Sequence, residues 1–129
     1  MSSNSRLAKC FGDIVVAVDL IQLWTERKGG AEILNDALVR SAVERQLLVI
    51  SEAAVRLHKL DPAIASRLAP ETDWSGIRGI GNFLRHRYDD LDTGVILDVL
   101  QKRLGPLRAA CERAKEALGK SKRPETRPS

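Results

Sequence analysis

Aromatic residues are scarce in this 129-residue chain: two Trp, two Phe and one Tyr make up 4% of it. A β-sandwich core draws heavily on aromatic and β-branched side chains, so the scarcity points away from that class and towards helices packed through aliphatic residues. Cysteine is scarce too. Cys10 and Cys111 stand near opposite ends of the chain, in no CxxC or Cys/His grouping. That spacing excludes a disulfide framework and a structural zinc site of the familiar kind, and both cysteines read as reduced core residues. No uncharged run approaches the roughly 18 residues that a membrane span needs. The opening Met1-Ser-Ser-Asn-Ser-Arg6 leads into a stretch holding Asp13 and Asp19, which does not read as a signal peptide. The expectation is a cytoplasmic protein with no membrane association.

Bulk charge is the last thing missing. The net charge of +4 suggests a polyanionic partner, but residues 119–129 hold Lys120, Lys122, Arg123 and Arg127 against Glu125. The remainder keeps 17 of the 21 basic residues against 16 of the 17 acidic ones. An RNA-directed role would therefore rest on a local patch rather than on overall charge.

What is present is helical periodicity. Hydrophobic residues make up 43% of the chain, enough for one domain with a core that needs no metal or disulfide. Leu7, Phe11, Ile14, Val18 and Ile21 predict a first helix over about 5–24, with Val15, Leu20 and Leu23 widening its apolar face. A helix this apolar must be covered on more than one side, by the bundle or by a second subunit. Lys28-Gly29-Gly30 breaks it. A second helix starting between Gly30 and Asn35 carries the stripe Val39, Val43, Leu47, Ile50, Ala54 and Leu57 and runs to about Leu60. Asp61-Pro62 opens a short helix that Pro70 ends, and Thr72 or Asp73 caps the next one, which fades near Tyr88. Asp92 reads as the cap of a last helix built on Ile96, Leu100, Leu104, Leu107, Cys111, Ala114 and Leu118, with a kink or restart at Gly105-Pro106. The predicted fold is all-α, a four- to five-helix bundle forming one domain over 1–118, with 119–129 a disordered basic tail.

The segment from Trp74 to Tyr88 carries the chemistry. At about 100° per residue, Ile77, Ile80 and Leu84 fall on one side, with Tyr88 at its margin. Arg78, Asn82, Arg85 and His86 fall on the other, and Gly81 is read with them. Gly79 and Gly81 each cost a helix interior about 1 kcal/mol relative to alanine, which suggests that another backbone or a ligand comes close. Histidine titrates near neutrality and transfers protons, and the planar guanidinium fits phosphate oxygens. His58 reads as a solvent-facing helix-end residue, Glu52 as a hydrogen-bond partner for an arginine, and Trp24 and Trp74 as helix-end packing. Asp89, Asp90 and Asp92 read as turn and cap rather than as a metal site.

The pattern Trp74-x-x-Ile77-x-Gly79-Ile80-Gly81-Asn82-x-Leu84-x-His86-x-Tyr88-x-x-x-Asp92 resembles the signature of HepT-like HEPN proteins. That signature runs approximately W-x-x-I-x-G-M-R-N-x-L-x-H-x-Y, followed shortly by Asp. Two positions differ: Ile80 stands for methionine and Gly81 for arginine. The likeness extends to the second helix, from Ala42-Val-Glu-Arg-Gln to Glu52-Ala, and covers most of residues 5–118. It implies a HEPN-type bundle and a metal-independent endoribonuclease without cofactors, acting on RNA as a homodimer through a shared cleft. The implied catalytic set is His86, Asn82, Arg78 and Arg85. With Gly81 lacking a side chain, Arg78 is the favoured replacement, because 78, 82 and 86 line up along the helix. The resemblance also implies an antitoxin partner, a minimal nucleotidyltransferase that adenylylates Tyr88. The alternative it leaves open is a catalytically inactive helical module that binds nucleotide or such a partner.

Overall fold

The computed structural model describes residues 2–26, 32, 35–86 and 93–122. Among these residues every regular element is helical. Helix α1 (Ser3–Thr25) starts where the Ser2 hydroxyl accepts the Ser5 amide at 3.1 Å, satisfying one of the unpaired first-turn donors. Helix α2 (Ala37–Leu60) starts later than the sequence suggests, because Asp36 is its cap: one carboxylate oxygen accepts the amides of Leu38 and Val39 at 3.0 and 3.3 Å. The short α3 (Ile64–Leu68) begins two residues beyond Pro62. Asp61 closes α2 through its amide and turns the chain by accepting the Ala63 amide at 3.0 Å. Helix α4 (Trp74–His86) is capped by Asp73, whose side chain accepts the Gly76 amide at 3.0 Å.

The last three elements form one continuous rod: α5 (Thr93–Asp98), a π-helical turn (Val99–Arg103) and α6 (Leu104–Lys122). The expected interruption at Gly105-Pro106 takes this form. The ladder widens over residues 99–103 and α-geometry restarts at Leu104. Pro106 thus falls in the first turn of α6, where a missing amide donor costs nothing. The rod continues through Gly119 to Lys122, past Leu118 where the apolar stripe stops. The proposed cap Asp92 and residues 123–129 lie outside the described residues.

Helix α1 is the hub, packing against α2 and α6, while α2 packs against α4 on its other side and α3 fills in against α6 and α2. The core is aliphatic, as the composition requires. Phe11, Ile14, Val18, Ile21, Val43, Ile50, Leu57 and Leu104 are almost wholly buried, and Trp74 is the one indole at its centre. Both cysteines are buried and free. On the surface, the Arg108 fork holds the Asp19 carboxylate (Nε–Oδ1 2.6 Å), tying α6 to α1 and lowering the Asp19 pKa below its ordinary value through that hydrogen bond. Arg113 pairs with Glu71 through one of its terminal nitrogens, tying α6 to the turn before α4. The excess apolar surface expected on α1 is there: Val16 and Leu23 are 59% and 57% exposed, and Leu38 at the start of α2 is 80% exposed. No helix is long and apolar enough to cross a membrane.

Candidate functional site

Helix α4 packs against α2, with Trp74 buried in the core and Ile77, Ile80 and Leu84 half-buried against it. Its other side presents Arg78, half-buried, and Asn82 and Arg85, exposed. These three follow at steps of four and three, so they share one face. His86 is the last residue of α4; its side chain, together with Tyr88, Asp89 and Asp90, lies outside what the structure describes. Among the described residues neither Arg78 nor Arg85 has an ion-pair or hydrogen-bond partner for its guanidinium. Arg56, Arg103, Arg108 and Arg113 all have acidic partners.

Gly81 does not belong to this polar face. It is buried, four residues after Ile77 and three before Leu84, and so lies in the seam between α4 and α2. The close approach inferred from the two glycines is real at this position. The Ser51 hydroxyl of α2 reaches the α4 backbone, accepting the Gly81 amide at 2.9 Å and donating to the Arg78 carbonyl at 2.9 Å. Gly79 is different: a Cβ there would meet nothing within 4 Å among the described residues. Glu52, expected to hold an arginine, is exposed and makes no such bond among the described residues; its neighbour Ser51 makes the contact instead. Ser51 was missed because serine is a weak signal in an apolar stripe. Its place four residues after Leu47 and three before Ala54 marks it as inward-facing. His58 is exposed, as expected of a helix-end residue.

A cavity of about 570 Å³ opens on another side of α4, lined by Leu47, Ile77, Ile80, Val99, Leu104 and Leu107, with Asp98, Lys102 and Arg103 among its polar members. None of Arg78, Asn82 or Arg85 lines it. Among the described residues no three of His, Cys, Asp and Glu gather as metal ligands.

The family model described as "Ribonuclease HepT-like" matches residues 14–114. The chain belongs to the HepT-like ribonuclease family. The match takes in α2, α4 and most of α6, so Ser51, Arg78, Gly81, Arg85 and His86 all fall within the HepT-like region. No solved structure matches the chain. Measured against the HepT-like signature, this member keeps the asparagine, histidine and tyrosine positions and carries glycine where the signature has arginine.

Proposed function

We propose that the chain is the toxin half of a toxin–antitoxin pair, a metal-independent endoribonuclease that works as a homodimer. The observation behind it is the α4 face itself. Two arginines with no acidic partner among the described residues stand beside Asn82, one turn from the position of His86. Guanidinium groups with no acidic partner among the described residues suit a polyanion, and their planar forks match phosphate oxygens.

Cleavage of RNA at such a face needs three things. A base takes the proton from a ribose 2′-hydroxyl as its oxygen bonds to phosphorus. Cations stabilise the charged phosphorane. An acid gives a proton to the departing 5′-oxygen as its bond to phosphorus breaks. His86 serves the proton transfers and the arginines the charge, with Asn82 supplying a hydrogen bond. One helix provides one histidine, so two copies of α4 across a symmetric cleft supply both an acid and a base. The exposed Val16, Leu23 and Leu38 are apolar surface of the kind a partner subunit covers. A minimal nucleotidyltransferase restrains the enzyme by adenylylating Tyr88, which adds bulk and negative charge two residues from His86.

The test is cleavage of RNA by the purified protein in chelator, with His86→Ala alongside. Cleavage by the wild type and a loss of about 100-fold or more in the variant are expected, the scale of general acid–base catalysis. A second reading draws on Gly81, which lacks the signature's arginine: an inactive module that binds nucleotide or a nucleotidyltransferase. RNA or nucleotide binding without cleavage by the wild type would establish it instead.

A further inference from the structure

Ser51 is the buried polar residue in a core otherwise made of apolar side chains among the described residues, 2% exposed. A buried hydroxyl is stable only when its hydrogen bonds are made, and this one makes two, both to the backbone of α4. Those bonds fix where the oxygen sits. A Cβ built on Gly81 would lie 2.9 Å from it, inside van der Waals contact. The hydroxyl can swing away only by giving up both bonds. Position 81 is therefore closed to a side chain by Ser51, and glycine is the residue that fits.

The second neighbour of that position is Arg85. Its Nη2 and Nη1 atoms lie 3.3 and 3.4 Å from the place a Cβ at 81 would take. The guanidinium thus folds back one helical turn over the bare backbone of Gly81. It remains on an exposed side chain and has no acidic partner among the described residues. Arg78 is half-buried, further from that position, and shares no such seat.

We propose that Ser51 holds position 81 as glycine, and that Arg85, seated over Gly81, supplies the guanidinium that meets the RNA phosphate. The assignment of Arg85 rests on the ribonuclease reading above; the closure of position 81 does not.

Closure is tested by urea denaturation of Ser51→Ala, Gly81→Ala and the double variant, with Gly79→Ala as the open-position control. Gly79→Ala is expected to raise the urea midpoint, as alanine does at an unobstructed helix site. Gly81→Ala is expected to lower it in the wild-type background and to raise it once Ser51 is alanine. If Gly81→Ala is stabilising with Ser51 intact, position 81 is not closed and that part of the proposal fails.

The Arg85 role is tested by binding of a fluorescent 2′-O-methyl RNA oligomer, which cannot be cleaved, across a salt series, and by cleavage of ordinary RNA. Arg85→Ala is expected to weaken binding about tenfold or more and to reduce the log–log salt slope by about 0.7, the value for one lost single-strand phosphate contact. Arg85→Lys should recover the slope better than the affinity, since it keeps the charge and loses the fork. A loss in Arg78→Ala equal to or larger than that in Arg85→Ala would overturn the assignment. Binding without cleavage by the wild type would sink the ribonuclease reading while leaving Arg85 as the phosphate contact. Neither binding nor cleavage would remove both, with the Ser51–Gly81 coupling still decided by the urea experiment.

Discussion

The indole ring of Trp74 meets the ring of Phe11 edge-on, with centroids 6.0 Å apart and planes at 73°. The same indole donates its Nε1 hydrogen to the Ala69 carbonyl at 3.1 Å. One side chain thus joins α1, the end of α3 and the first turn of α4. Trp74→Phe keeps a ring in the core and removes the donor. It is expected to cost about 1–3 kcal/mol, towards the lower end because the Thr72 amide still reaches the same carbonyl. Trp74→Ala also opens a cavity and is expected to cost about 3–5 kcal/mol. Urea denaturation followed by far-UV circular dichroism measures both, and a cost below that of Trp74→Phe for the alanine variant would contradict this account.

Burial, with a smaller contribution from the negative charge of Glu112, pushes the Cys111 thiol up to about 12 from an ordinary value of 9.0. The folded protein therefore keeps its proton at pH values where the unfolded chain releases it. Titration of this thiol has no effect on stability below about pH 9. Above that, stability falls by up to about 1.4 kcal/mol per pH unit from this group. Cys111→Ala should flatten the alkaline limb of stability against pH while lowering stability modestly at pH 7. The native thiol should also resist iodoacetamide at pH 8, with labelling tracking unfolding. Fast labelling of Cys111 under native conditions would contradict this burial.

The apolar stripe of Val16, Leu20 and Leu23, with Leu38 beside the end of α1, is the surface most in need of cover. Sedimentation at micromolar concentration is expected to show a dimer. Leu23→Lys with Leu38→Lys should shift it to monomer with helicity unchanged. A dimer that survives both substitutions would place its interface elsewhere, and a monomeric wild type would remove the shared cleft.

Tyr88 lies two residues beyond the last residue of α4. Co-expression with a minimal nucleotidyltransferase is expected to add one AMP-sized increment to the intact mass, and Tyr88→Phe to abolish it without loss of cleavage. An increment that persists in Tyr88→Phe would put the modification on another residue. An unmodified wild type would leave direct binding as the means of restraint.

The helices of this bundle were legible because each apolar face repeats over several turns. Five consecutive steps of three or four from Val39 to Leu57 leave little freedom in how α2 is oriented. Starts were less legible: the apolar stripe places the beginning of α2 between Gly30 and Asn35, and the observed bonds put its cap at Asp36. Of the predicted polar face of α4, Arg78, Asn82 and Arg85 share one side among the described residues, and Gly81 does not join them. Gly81 was grouped with the arginines on either side of it, although its steps to Ile77 and Leu84 put it in the seam. Its meaning comes from Ser51, thirty residues away in sequence, and a contact between one serine and one glycine leaves no periodic trace.

The π-helical turn at Val99–Arg103 concerns length rather than composition. Ile96 and Leu104 are both buried, yet they stand eight residues apart, which in pure α-geometry overshoots two turns by roughly 80°. The wider turn takes up that surplus. The rod thus carries a residue more than its span requires, and the slack is confined to one place. Removing one residue there would let the ladder close as ordinary α-helix, with the same two anchors seven residues apart and a phase error of only roughly 20°. The same deletion between Leu104 and Leu118 would rotate one or more of the buried Cys111, Ala114 and Leu118 out of register with the rest of α6. Indel tolerance in this molecule is therefore a local property of the rod, written in the register of its hydrogen bonds.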